Sequence, residues 1–435
     1  MTRPFRPDDL YRFRIATDLR LSPDGSLIAF TIQTVAPTRD GYRHALWLVS
    51  TDGRQSARQI TIGARHDRRA RFAPDGRTIA FLSDRRIHVE DEPGADDPTK
   101  REDVEQIHLL PLAGGEARRL TDLPRGVDEF WWSPDGRHLL ATSASRAATQ
   151  SEDRRRRGLA HSSTLLPGQA PESDYHFVDR LAYLANGVGF VYHAPVQLWL
   201  IDVATGEARR LTDEPSGVGG AAWSPDARRI AYTTNLRRDH DLEPRSHLVA
   251  IDVDGNGRIR LTGDAAMLFD PSWLPDGSAV AAIGGYLPEN FYRLDLWLIA
   301  ADGSDRRPAR GGRNLTGRHD VMLGTTINSD IVPGEGARLT TSGDGRWITF
   351  QAPIEGSVEL WRVASADWRD RAPHDRPPLD LGVRPGRPWA RPDENRLAPF
   401  VAHTARRRVG PRRSQDRSPS AHGPQWRRPD RDRAA

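Results

Sequence analysis

A tight turn built on Pro-Asp-Gly recurs along the chain, each time ahead of a short apolar run, and this repeat limits the fold more than any other feature. It stands at Ser22-Pro23-Asp24-Gly25, Ala73-Pro74-Asp75-Gly76, Ser133-Pro134-Asp135-Gly136, Ser224-Pro225-Asp226-Ala227 and Leu274-Pro275-Asp276-Gly277, with a degraded copy at Ser342-Gly343-Asp344-Gly345. Proline presets φ at the second turn position, aspartate bonds nearby backbone N–H groups, and glycine takes the positive φ that closes the turn. The runs that follow, such as Leu27-Ile28-Ala29-Phe30 and Thr78-Ile79-Ala80-Phe81, are β-branched or aromatic and bounded by turn residues, so they read as strands.

A second element follows each turn: Leu46-Trp47-Leu48-Val49, Ile107-His108-Leu109-Leu110, Leu198-Trp199-Leu200-Ile201, His247-Leu248-Val249-Ala250, Leu296-Trp297-Leu298-Ile299 and Leu360-Trp361-Arg362-Val363. A glycine-containing turn and a closing strand come next, the latter ending in Leu-Thr at Leu120-Thr121, Leu211-Thr212, Leu261-Thr262 and Leu315-Thr316. Each unit is therefore four strands. Counted from Asp24, successive turn aspartates lie 51, 60, 91, 50 and 68 residues apart. Four-stranded units at such a period imply an all-β fold, a β-propeller with six recognisable four-stranded blades, whose radial arrangement protects sheet edges. The 91-residue gap carries an insertion at about 146–176, including Arg154-Arg155-Arg156-Arg157, which reads as an exposed loop between blade strands. The propeller is expected over residues 1–368.

Composition sets further bounds. No cysteine is present, so disulfides and thiolate metal sites are excluded. Met1 to Asp24 has no apolar signal core, and no run of 18 apolar residues occurs, so secretion by a standard signal and membrane spanning are not expected and the cytoplasm is the default location. The formal charge of +4 misleads, because past Trp368 the chain carries 17 arginines against 8 acidic residues, leaving the propeller mildly acidic. Residues 369–435 are rich in Arg and Pro with one strand-like run, Pro399-Phe400-Val401-Ala402, and read as a disordered tail. Lys100 is the only lysine, the mark of a GC-rich coding sequence, so out-of-frame translation explains the tail best. A natural disordered tail and a nucleic-acid arm using Arg406-Arg407-Arg408 and Arg412-Arg413 stay open, and nucleic acid is not the favoured partner.

The blade segments resemble the N-terminal propeller of the prolyl oligopeptidase family, most closely its acylaminoacyl-peptidase branch. The resemblance is carried by Leu10-Tyr11-Arg12-Phe13 leading into the first turn, by Tyr42 to Val49, by Gly114-Gly115-Glu116-Ala117-Arg118-Arg119-Leu120-Thr121, and by Asp179-Arg180-Leu181-Ala182-Tyr183 with Asn186-Gly187-Val188-Gly189-Phe190. It covers about residues 5–365; the turn alone is shared with TolB-like propellers. It implies a seven-bladed ring placed over an α/β-hydrolase domain with a Ser-Asp-His triad, the propeller restricting access to short or N-acylated peptides. The chain departs from that pattern: no serine lies in the Gly-x-Ser-x-Gly elbow that would hold the nucleophile, and no catalytic residue can be assigned. The expectation is thus a substrate-gating propeller of a serine peptidase-like protein, not catalytic alone, whose partners are a peptide substrate or a separate hydrolase domain. The alternative is a stand-alone TolB-like interaction scaffold. With six blades, the missing seventh would expose a sheet edge, which predicts reduced solubility or a stability deficit in isolation.

Other candidate chemistry is thin. Asp252-Val253-Asp254-Gly255-Asn256-Gly257 matches the first half of a calcium loop, with Asp252, Asp254 and Asn256 as ligands, but Gly263 stands where the bidentate acid belongs and an ordinary hairpin turn fits better. His88, His138 and His240 are isolated, and Glu90, Asp91, Glu92, Asp96 and Asp97 read as a solvated acidic loop. The recurring tryptophans 47, 131, 132, 199, 223, 273, 297 and 361 read as packing between blades. Asn314-Leu315-Thr316 satisfies a glycosylation sequon. No phosphate-binding loop or dinucleotide fingerprint is present, so no cofactor is expected.

Overall fold

The computed structural model describes residues 3–63, 65–85, 104–145, 181, 183–185, 189–190, 195–243, 245–287, 293–306, 311–319, 321–324, 339–354, 357–365 and 379–381. All lie in the first of the chain's two units, Met1–Ala398. Six four-stranded antiparallel sheets follow one another as propeller blades, each in simple up-and-down order. Blade 1 comprises Arg14–Leu21, Leu27–Val35, Tyr42–Ser50 and Arg58–Gln59; blade 2, Arg68–Phe72, Thr78–Ser83, Gln106–Pro111 and Arg118–Arg119; blade 3, Glu129–Trp132, His138–Ala144, Val196–Asp202 and Ala208–Arg210. Blade 4 comprises Ala221–Trp223, Arg229–Thr234, His247–Asp252 and Ile259–Arg260; blade 5, Ala266–Trp273, Ala279–Tyr286, Asp295–Ala300 and Arg313–Asn314; blade 6, Thr340–Thr341, Trp347–Ile354, Ser357–Ala364 and Leu379–Leu381. The last strand pairs with Trp361–Val363 and lies past residue 368, so the sixth blade reaches beyond the boundary read from the sequence. The insertion at 146–176 and the tail reading at 382–435 fall outside the described residues.

The Pro-Asp-Gly turns join the first and second strands of each blade. In the first, the Ser22 hydroxyl donates to Asp24 Oδ1 at 2.5 Å and accepts from the Leu27 N–H at 2.9 Å, while Gly25 N–H closes onto Ser22 O. The Ser22 hydroxyl, with the Ser26 N–H and hydroxyl, holds the Asp24 carboxyl down at about 2. Ser133–Asp135, Ser224–Asp226 and Ser342–Asp344 repeat the arrangement, so the sixth copy keeps the turn although Gly343 replaces proline. The fourth copy puts Ala227 at φ 58, where the others have glycine.

The Leu-Thr endings have an equally specific use. The outer strands are short, and the threonine hydroxyl extends their ladder by accepting the N–H at the start of the third strand. Thr61, Thr121, Thr212, Thr262 and Thr316 accept from Leu46, Ile107, Leu198, Leu248 and Leu296 respectively, at 2.9–3.0 Å. In blades 2 and 3 the side chains of Gln106 and Gln197 complete the clamp, each accepting from its threonine hydroxyl.

Alternation along the middle strands sends successive residues to opposite neighbours. Ile79 and Phe81 pack with Leu46 and Leu48 of blade 1, whereas Ala80 and Leu82 pack with Phe130 and Leu139 of blade 3. Leu140 and Leu198 meet Ile230 and Tyr232, Ala231 and Leu248 meet Leu268 and Trp297, and Leu296 and Leu298 meet Ile348 and Phe350. Burying a side chain such as Phe81 completely contributes about 2–3 kcal/mol. Five apolar clusters thus stitch six blades in sequence. Among the described residues, no cluster joins blade 6 to blade 1.

The tryptophans serve this packing. Trp223, Trp273, Trp297 and Trp361 are buried. Three of those at inner strands also hydrogen-bond the preceding blade: Trp132 Nε1 donates to Arg71 O, Trp223 Nε1 to Trp131 O and Trp273 Nε1 to Ala222 O, at 3.1–3.3 Å. Among the described residues, no helix is long and apolar enough to cross a membrane.

Candidate functional site

The first strand of each blade is its inner strand, and these strands meet one another from blade to blade around the channel. In blades 1, 2 and 5 the inner strand bulges, with register shifts between Thr17 and Arg20, Arg68 and Arg71, and Phe269 and Ser272. A bulge re-aims the extra side chain. The residue concerned is left-handed in all three: Asp18 at φ 51, Arg69 at φ 58 and Asp270 at φ 49. Each stands four residues ahead of the first turn residue, and the same count reaches Glu129 in blade 3 and Gly220 in blade 4. One level of the channel therefore carries Asp, Arg, Glu, Gly and Asp from blades 1 to 5.

On blades 1 to 3 these side chains neutralise one another. Arg71 Nη1 lies 2.7 Å from Asp18 Oδ2, and Arg20 Nη2 is 2.8 Å from Asp18 Oδ1. Arg69 pairs with Glu129, and Arg71 Nη2 reaches Glu129 at 3.4 Å. Alongside, Arg68 clasps Glu105 through Nε at 2.6 Å. Pairs this enclosed hold geometry only while every partner is present.

On blades 3 to 5 the channel widens into a cavity of about 630 Å³. Its wall includes Asp128, Glu129, Trp131, Trp223, Asp270 and the Gly219–Gly220 step, and among the described residues its charged groups are all acidic. Glycine is required at 219, where a Cβ would fall 2.4 Å from Thr233 Oγ1. At Gly220 the missing side chain leaves the space between Glu129 and Asp270 open. The low-dielectric walls push the Asp128 carboxyl above its ordinary value, against the pull of Arg69 and Arg68.

Of the residues singled out from sequence, Trp131, Trp132 and Trp223 line this cavity, and the other described ones lie elsewhere. Asp252, Asp254 and Asn256 form the hairpin turn between the third and fourth strands of blade 4, where Asp254 accepts from both the backbone and side-chain N–H groups of Asn256, at 2.8 and 3.0 Å. Among the described residues, no group of three His, Asp or Glu side chains is placed to hold a metal ion. Asn314 of the sequon is engaged in the fold, its amide donating to Asp295 and its carbonyl accepting from Thr316 and Gly317. His138 opens a strand of blade 3, and His240 sits in a turn where its carbonyl accepts from Asn235. His88 and the acidic loop from Glu90 to Asp97 lie outside the described residues. The charged channel residues escape a reading of the sequence because the residue type at that level changes from Asp18 to Arg69 to Glu129 to Gly220; only their fixed distance from the turn marks them.

Comparison with known proteins agrees with this architecture. The acylaminoacyl peptidase of Pyrococcus horikoshii superposes on 82% of the chain with a TM-score of 0.57 at 15% identity. The two share the β-propeller fold. The uncharacterized peptidase YuxL of Bacillus subtilis is 30% identical over 243 residues, 55% of this chain and 33% of its own length. Dipeptidyl-peptidase 5 of Porphyromonas gingivalis is 23% identical over 80% of this chain and 46% of its own. The chain thus spans from a third to about half of the curated relatives' length, and 47% of the acylaminoacyl peptidase. No family model matches it.

Proposed function

We propose that this propeller is the substrate-gating part of a serine peptidase-like protein acting on short or N-acylated peptides, with bond cleavage carried out by a hydrolase domain rather than by the propeller. The observation that carries the reading is the cavity between the inner strands of blades 3, 4 and 5: at about 630 Å³ it accommodates a few residues of extended chain, but not a folded domain. Part of its wall is fixed by the fold: Glu129 is tied to Arg69 and Arg71, and Trp223 donates to Trp131 O. The peptidase relatives support the same reading, as does the lack of a Gly-x-Ser-x-Gly elbow within these 435 residues.

The test is direct. The purified chain is titrated with an acetylated pentapeptide and with a folded protein displaying the same five residues in a surface loop, and each mixture is assayed for cleavage. Binding of the free peptide alone, without turnover, is the expected result. Turnover by the chain would overturn the non-catalytic assignment. Binding of the folded protein in preference to the peptide would favour an interaction scaffold.

A further inference from the structure

The cavity walls differ in chemistry from the rest of the channel. Three carboxylate residues, Asp128, Glu129 and Asp270, line it, and among the described residues no arginine or lysine does. Arg69 and Arg68 stand close enough to favour the Asp128 charge, but Arg69 and Arg71 pair with Glu129, Arg71 also with Asp18, and Arg68 with Glu105. That accounts for Glu129. The Asp128 side chain, exposed to the cavity, makes no hydrogen bond or ion pair among the described residues.

Aromatic surface faces the same space. Trp131, Trp132 and Trp223 all contribute to the wall. The indole N–H groups of Trp132 and Trp223 are already donated to Arg71 O and Trp131 O, so these two side chains offer the cavity apolar and π surface rather than a donor. Carboxylates beside indole rings attract a cation twice over, through charge and through the ring quadrupole. An anionic ligand would meet the carboxylates directly, whereas among the described residues the basic groups lie behind them, with Arg69 already paired to Glu129 and Arg68 to Glu105.

Blade 4 provides the room. At the level where blades 1, 2, 3 and 5 place Asp18, Arg69, Glu129 and Asp270, blade 4 has Gly220. A Cβ at Gly220 would come 3.4 Å from Asp270 Oδ1 and 3.3 Å from Pro271 Cδ, so a longer side chain there would occupy the acidic gap. The empty position creates the gap.

We propose that this cavity takes a cationic group carried by a peptide, an ammonium or guanidinium, with Asp128 as its main counter-ion and Trp131 and Trp223 as its flanking walls. The inference rests on the channel being where peptides are held, and it adds a charge preference to that reading. The shared chemistry has two sources, a basic side chain or a free α-amino group.

Three pentapeptides separate the cases by calorimetric titration of the full chain at low salt: acetyl-Gly-Gly-Arg-Gly-Gly-amide, its Glu counterpart, and Gly-Gly-Gly-Gly-Gly-amide with a free amino group. A cationic peptide is expected to bind about tenfold more tightly than the Glu peptide, the preference shrinking as salt is raised. Asp128→Asn should erase the preference, while Asp128→Glu should retain it; matching thermal melts show that both variants fold. Preference for the acetylated Arg peptide identifies a side-chain cation, and preference for the free-amine peptide identifies the terminus. Equal binding of Arg, Glu and free-amine peptides, or a preference that survives Asp128→Asn, overturns the charge inference and leaves the peptide-holding reading standing. Failure of all three peptides to bind overturns both.

Discussion

Arg71 joins three blades through two carboxylates: its guanidinium lies 2.7 Å from Asp18 of blade 1 and 3.4 Å from Glu129 of blade 3. The Arg71 and Asp18 side chains are only 10% and 8% exposed, so removing Arg71 leaves the Asp18 charge to Arg20 alone in a poorly solvated place. Arg71→Ala is therefore expected to destabilise the fold by roughly 2–3 kcal/mol. Adding Asp18→Asn to that variant should recover part of the loss, because it removes a charge left with one partner instead of two. Urea unfolding of the two variants checks this; a double variant weaker than the single would contradict it.

The fourth turn offers a gain. Ala227 holds φ 58, a conformation that costs an L-residue about 1–2 kcal/mol, and the equivalent positions are Gly25, Gly76, Gly136, Gly277 and Gly345. The greater freedom of glycine in the unfolded chain offsets part of this. Ala227→Gly is expected to raise stability by about 0.5–1 kcal/mol, read as a higher urea midpoint at unchanged slope.

The threonine clamp of blade 2 should be sensitive to its hydroxyl rather than to its shape. Thr121 Oγ1 donates to Gln106 Oε1 at 2.7 Å and accepts from Ile107 N–H at 3.0 Å, all within the buried interior. Thr121→Val leaves the Ile107 N–H unmatched and takes one of two donors from Gln106 Oε1, which keeps the Leu123 N–H at 3.1 Å, and should cost about 2 kcal/mol. Thr121→Ser keeps the hydroxyl and should cost less. Equal melting temperatures for the Val and Ser variants would show that the hydroxyl does not matter.

Acid sensitivity is expected from two buried imidazoles. Burial lowers His108 from 6.5 to about 4, with only Gln106 O beside Nδ1 at 3.1 Å. Burial, followed by the nearby His66 and Arg68, lowers His44 to about 4 as well. Both rings are neutral in the fold and take up a proton more readily once unfolded. Their contribution to stability is thus fully present above pH 6.5 and is lost as the pH falls from there toward about 4. Each accounts for roughly 3 kcal/mol at most. His108→Phe, which keeps a ring against Phe81, should narrow the difference between melting temperatures at about pH 7 and about pH 4.5. An unchanged difference would remove His108 from the explanation.

The blades were legible because their punctuation is chemical. Ser22, Pro23, Asp24 and Gly25 specify one turn, and Thr121 or Thr212 one clamp, so the same letters return wherever the same geometry is needed. Leu379–Leu381 escaped notice because a three-residue outer strand carries almost no periodicity and lies in an Arg- and Pro-rich stretch. The channel was hidden for the opposite reason. Its positions are fixed by backbone bulges, but their side chains vary from Asp18 to Arg69 to Gly220, and it is this variation that gives the wall different chemistry from one blade to the next. The calcium-like run from Asp252 to Asn256 looked distinctive only as a string of letters; in the fold, the short side chains of Asp254 and Asn256 bond one another across a hairpin.

Every described blade is built from one stretch of chain, in blade 3 with a separate two-stranded sheet, Leu184–Ala185 and Gly189–Phe190, between its second and third strands. Among the described residues, no strand from one end pairs with a sheet at the other. Gene duplication or deletion could therefore add or remove a whole repeat without unpicking the hydrogen bonding of those that remain. Only the side chains at the new seam would have to adapt. Blade number in such a molecule is open to evolutionary drift in a way that it is not where one sheet is shared between the two termini.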